Sequence, residues 1–304
     1  MRSRLPAGAA GLLILCLGAW PRPAAAGYCV ADPQGNGMTV SWGATLQYQV
    51  NTQSMTNVAG GADAARAAVV AAFAAWTAAP CAALAATDGG DSTSTVYVTN
   101  MPFVLVFMAN DDQTWMQQGP STSPIAATFY EYNPQNHQIL AAAIMLNGAH
   151  YTYSATATPA SNALDLQSVL MLEIGRALGI APNPTNMNSV MYPRVGFGDA
   201  SKRTLAQDDQ DAIAFLYPQQ NPQGMCANIP PPLPPAECSG GTGDGGMGTG
   251  GAGGTPDGGT GASGGDSGCG CAVGRAAPTG ERGIVTMLFV AATLGLWRRR
   301  RARR

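Results

Sequence analysis

One carboxylate stands out for where it lies. Glu173 sits inside the apolar stretch 166–181 (LQSVLMLEIGRALGIA), and Ser189-Val190-Met191-Tyr192-Pro193 follows a few residues later. A helical glutamate becomes a general base when a zinc-bound water lies beside it. That chemistry uses two histidines at i and i+4 on one helix face, with the glutamate next to the first. Catalytic zinc takes three protein ligands and a water. Here the frame reads Leu172-Glu173-x-x-Arg176-x-x-Gly179-x-x-Pro182. An aliphatic chain, a guanidinium and a pyrrolidine stand where the ligands would be. None of them donates an electron pair to a metal, and arginine offers hydrogen-bond donors only. The two histidines of the chain, His137 and His150, lie well upstream and are too few for a three-histidine site. Without a metal-bound water Glu173 has nothing to activate. These residues predict no zinc at this site and no metal-dependent peptide hydrolysis, which leaves Glu173 a vestigial general base.

The same spacing offers another interaction. Side chains at i and i+3 of a helix can meet, and a lone buried carboxylate is costly. Glu173 and Arg176 can form an ion pair; the alternative is a solvated helix face with no pairing. Leu172 reads as core packing. Pro182 reads as a loop residue after a helix stop at Gly179, where a left-handed cap favours glycine.

The frame resembles that of the metzincin zinc peptidases, H-E-x-x-H-x-x-G-x-x-H followed by a Met-turn. Glu173, Gly179 and Met191 stand in register with it, and the three histidine positions are Leu172, Arg176 and Pro182. Each replacement is one middle-base change from a histidine codon, which fits descent from a ligand-bearing ancestor. The similarity spans about residues 27–218 and is closest in kind to the matrixin-like domains of secreted bacterial proteins.

The resemblance implies an α+β fold: a metzincin-like twisted mixed sheet packed on two long helices, then a small C-terminal lobe with the Met-turn and a final helix. Residues 63–78 resemble the first helix, with Val69, Phe73 and Trp76 at helical spacing. Residues 95–108 resemble sheet strands, 165–178 the motif helix and 203–218 the final helix. Residues 139–147 (ILAAAIMLN) resemble the edge strand that lines the substrate cleft, where an extended peptide or protein ligand would add by β-augmentation. The family would also imply zinc and structural ions such as calcium as cofactors. The acidic D-A-D pattern that helps bind such ions is replaced here by Ala141-Ala142-Ala143, so no cofactor is expected.

Around this domain the chain changes character. Residues 1–26 carry Arg2 and Arg4, an apolar run from Ala9 to Trp20, and Ala24-Ala25-Ala26, the pattern of a secretory signal peptide. Residues 219–268 read as a linker, first proline-rich and extended, then Gly/Ser/Thr/Asp-rich and flexible. Residues 269–304 hold Cys269 and Cys271, an apolar stretch from Gly283 to Trp297, and an arginine-rich end. This tail resembles the myxobacterial C-terminal sorting signal, which implies a partnership with cell-surface sorting machinery; a simple tail anchor oriented by its positive end is the alternative. Export to the cell surface or outer membrane, with release into the medium as a further outcome, follows from this reading.

Between residues 27 and 268 five basic residues face 17 acidic ones, a net of −12, so the positive charge of the chain is concentrated in its two ends. That excludes a basic nucleic-acid-binding face. Cys29 with Cys81, and Cys226 with Cys238, are candidate disulfides in an oxidising compartment, although sequence does not fix connectivity. No G-x-S-x-G, P-loop or dinucleotide fingerprint in strand–turn–helix context is present. Asp208 and Asp209 lie at a helix start, where acids suit the dipole. Three functional readings follow. One is a displayed pseudoprotease that binds peptide or protein in the former cleft. The second is an active zinc endopeptidase, and the third a surface spacer or adhesin.

Overall fold

The computed structural model describes residues 27–97, 101–118, 121, 123–238 and 273–276. In chain order the elements are β1 (Thr45–Val50), β2 (Val58–Ala59), α1 (Gly61–Thr77), β3 (Ala85–Asp91), β4 (Val104–Ala109), α2 (Asp112–Gln118) and β5 (Ala126–Tyr132). They continue with β6 (Ile139–Asn147), β7 (Tyr153–Ser154), β8 (Leu164–Asp165), α3 (Leu166–Ala177), α4 (Gln207–Leu216), α5 (Pro235–Cys238) and β9 (Val273–Ala276). The main sheet has the order β3-β1-β4-β6-β5-β9, and β2-β7-β8 form a small second sheet. All pairs of the main sheet are parallel except β5 with β6. This is the expected mixed sheet with two long helices, α1 and α3, against one face.

Period-two alternation in β4 divides the core. Val104, Val106 and Met108 join the main apolar cluster with Val69, Phe73 and Trp76 of α1 and Val169, Leu172 and Ile174 of α3. Leu105, Phe107 and Ala109 point the other way, into a smaller cluster closed by Trp115 of α2. Such alternation on a sheet covered on both faces gives strands that read as continuous apolar runs.

That rule corrects one sequence expectation. Residues 139–147 do form a strand, β6, but it lies inside the sheet, paired with β4 on one side and β5 on the other. An edge role for 139–147 is therefore ruled out. The antiparallel strand beyond β6 is β5, and β9 pairs along its far side as the outermost strand. Ala141, Ala142 and Ala143 are wholly buried between these neighbours, where carboxylates would lack solvent. The final helix also begins later than expected, at Gln207.

The cysteines pair differently from the sequence expectation as well. The bridges are Cys29–Cys238 and Cys81–Cys226, not Cys29–Cys81 and Cys226–Cys238. The reason is the path of residues 219–238, which return across the start of the domain. Gln219 N donates to Cys81 O, and Leu233 N donates to Tyr28 O at 2.8 Å. The Tyr28 hydroxyl donates to Pro230 O at 2.6 Å. The proline run is thus strapped onto the domain, and its linker character begins no earlier than Cys238. Cys269 and Cys271, the signal segment 1–26 and the arginine-rich end lie outside the described residues. No helix among the described residues is long and apolar enough to cross a membrane.

Candidate functional site

The site is built on α3, and the helix is fixed at both ends. Asp165 caps its start by accepting from Ser168 N at 3.0 Å, a cap that satisfies an otherwise orphaned amide. The Asp165 carboxylate is itself held by Arg203, whose Nε and Nη2 both donate to it. At the other end Gly179 N donates to Arg176 O at 3.0 Å, and Ile180 N to Gly175 O at 2.9 Å. This is a Schellman closure with Gly179 at φ +92°. A Cβ on Gly179 would stand 2.1 Å from Val40 O, so the glycine serves both the turn and the close approach of the N-terminal segment. Trp76 Nε1 and Trp42 Nε1 donate to Met171 O and Ala177 O, pinning the helix to α1 and to the chain before β1.

At the centre of α3, Arg176 Nη1 donates to Glu173 Oε1 at 3.0 Å, with both side chains buried (2% and 0% exposed). The hydroxyl of Thr128, from β5, lies 2.6 Å from Glu173 Oε2 and 3.1 Å from the Glu173 carbonyl. Both carboxylate oxygens are therefore engaged, one by a fixed cation and one by a hydroxyl. The ion pair expected from the spacing is present. Leu172 is fully buried in the main apolar cluster, and Pro182 is half-buried in the loop after Gly179.

The resident metal that this frame implies is zinc, and these residues do not fit it. The i+4 ligand position holds a guanidinium already committed to the glutamate, and a second cation there would meet its charge. The two histidines are engaged elsewhere. His150 Nε2 lies 3.0 Å from Asp112, and its Nδ1 lies 3.0 Å from Asn147 Oδ1. His137 is buried in the β5–β6 turn against the Tyr132 ring. Among the described residues no three His, Cys, Asp or Glu side chains are grouped to hold a metal ion.

Below the helix, Met191 is buried with its sulfur against Gly175; a Cβ on Gly175 would stand 2.3 Å from it. The turn that carries Met191 is held by Asp209. That carboxylate accepts from Ser189 Oγ at 2.5 Å, Val190 N at 3.0 Å and Ala206 N at 2.8 Å. Burial pushes the Asp209 carboxyl up to about 6, against the opposing pull of the Ser189 hydrogen bond. Asp208 accepts from Asn183 Nδ2 at 2.8 Å, and burial raises its carboxyl too. Lys202 is also buried and donates from Nζ to Ser189 O at 2.6 Å. Asp208 and Asp209, read from sequence as dipole-favouring acids, are the clasp of the Met-turn. Sequence reasoning missed Thr128 and Lys202 altogether. Lys202 is the single lysine of the chain, which was the available signal for the second; Thr128 carried none.

Comparison with known proteins agrees with this geometry. The matrixin family model matches residues 41–218, from the segment before β1 to the end of α4. A metalloendoproteinase 1 of Glycine max is 40% identical over 62 residues, which are 20% of this chain and 20% of that protein. The matched segment thus spans about a fifth of that relative's length.

Proposed function

Since the chain belongs to the matrixin family, we propose that it is a catalytically inert member: an exported, surface-displayed module that keeps the peptidase scaffold without peptide hydrolysis. The observation that carries this reading is the buried Glu173–Arg176 pair. A general base must be free to take a proton from water. Glu173 instead neutralises a cation placed where a ligand would have to be. The two disulfides fit an extracellular protein, and display through the C-terminal tail is the further part of the proposal.

The full burial of Leu172 and Glu173 favours a second reading alongside the first: a surface spacer or adhesin that does not hold ligands over α3. Any retained peptide binding belongs along the far side of β5, and not at residues 139–147.

The test is metal content and hydrolysis of the purified chain, with and without a chelator. Less than a tenth of an equivalent of zinc, and no chelator-sensitive cleavage of a mixed peptide library, is expected. Stoichiometric zinc with chelator-sensitive cleavage sinks the reading.

A further inference from the structure

A strand at the margin of a sheet presents a row of unpaired N–H and C=O groups that another extended chain can use. In this protein that row is taken by the chain itself. β9 runs parallel to β5, with Phe129 opposite Val273, Tyr130 opposite Gly274, Glu131 opposite Arg275 and Tyr132 opposite Ala276. We infer that residues 273–276 are an in-chain strand occupying the docking edge of β5, and that this edge takes an extended peptide from elsewhere only once the segment has been cut away or drawn off.

Three observations support this. First, the pairing begins one residue after Thr128, whose hydroxyl holds Glu173. The occupied edge therefore borders the former catalytic helix. Second, strand addition works through main-chain hydrogen bonds and tolerates most sequences, so Val-Gly-Arg-Ala needs no dedicated pockets. Third, the segment begins two residues after Cys271 of Cys269-Gly270-Cys271. Docking would hold that motif against the domain, and any cleavage or attachment at the motif would decide whether the edge is covered.

The tether makes a short strand sufficient. Residues 239–272 have a contour length on the order of 100 Å, ample to reach β5 from Cys238. A segment on such a tether is present at an effective concentration on the order of millimolar. Four residues bind weakly on their own, so the contact depends on the tether and is lost when the tail is cut. The inference rests on sheet topology and stands whether or not the protein hydrolyses peptides.

The test is amide hydrogen exchange at Phe129–Tyr132 in the intact, disulfide-bonded full chain. Two substitutions are compared with the unaltered protein: Gly274→Pro within the added strand, and Gly268→Pro before it. The expected result is at least about tenfold faster exchange in Gly274→Pro, because local opening governs protection, and no change in Gly268→Pro. Equal exchange in all three proteins overturns the inference. Acceleration by both substitutions does so as well, since it would report a general loosening instead of strand pairing.

Discussion

Replacing Arg176 with alanine isolates the interaction on which the functional reading turns. In the native protein Glu173 and Arg176 are 0% and 2% exposed and 3.0 Å apart. Removing one partner of a buried pair leaves an uncompensated charge, which costs about 3–5 kcal/mol. In a domain of this size each kcal/mol moves the melting temperature by roughly 2–4 °C, so Arg176→Ala should melt roughly 6–20 °C lower. The double variant Glu173→Leu/Arg176→Met removes both charges and keeps the volume apolar. The Thr128 hydroxyl then still has the main-chain carbonyl of residue 173, 3.1 Å away in the native protein. Most of the loss should therefore be recovered, as buried pairs exchanged for apolar residues of similar size are often neutral. Urea unfolding followed by tryptophan fluorescence, with disulfides intact, measures all three proteins. An Arg176→Ala cost under about 1 kcal/mol, the value of an exposed pair, would refute the reading of Glu173 and Arg176 as a buried, mutually neutralising pair.

Other perturbations test other links. Burial pushes the Asp209 carboxyl up to about 6 in the folded protein, from an ordinary 3.8. Its stabilising contribution is complete below pH 3.8 and is lost as pH rises through about 6. Over that window the fold should lose up to about 3 kcal/mol; Asp209→Asn should flatten this component in urea titrations at pH 4 to 7, and an unchanged slope would discount the burial argument. Gly179→Ala places a side chain at φ +92° and 2.1 Å from Val40 O, and should cost roughly 2 kcal/mol or more by the same denaturation assay. Cys238→Ser opens the Cys29 bridge, which spans 209 residues, at a cost of about 2–5 kcal/mol. Non-reducing peptide mapping should recover 29–238 and 81–226 linked peptides, and recovery of 29–81 would overturn the strapped path of residues 219–238.

Much of the centre was legible because its signals are local. The i,i+3 spacing of Glu173 and Arg176, the glycine stop at 179 and the helical spacing of Val69, Phe73 and Trp76 each depend on a few neighbouring residues. What sequence missed depends on distant partners. β3 reads AATDGGD, a turn-rich composition, and becomes a strand only because it pairs with β1. The run ILAAAIMLN resembles an edge strand by family, yet a nearly unbroken apolar strand belongs inside a sheet covered on both faces. The antiparallel strand on that side is AATFYEY of β5, with β9 outside it. Disulfide connectivity followed the return path of a proline run, which composition alone described as free linker.

The strap has a mechanical consequence. Tension drawn between Gly27 and the tail beyond residue 238 enters the fold at Cys29 and Cys238, which are joined to each other. The force then runs through one covalent bond and bypasses every strand and helix between them. The second bridge, Cys81–Cys226, closes a further loop inside the first. Forced unfolding of a domain is governed by how fast its loaded contacts give way, and here no hydrogen bond between the strands that lie from Cys29 to Cys238 is in series with the load. A domain tethered by its tail in a flowing or shearing medium would keep its length and its shape for as long as the bridges remain oxidised. Single-molecule pulling should show the contour of residues 29–238 released only after reduction.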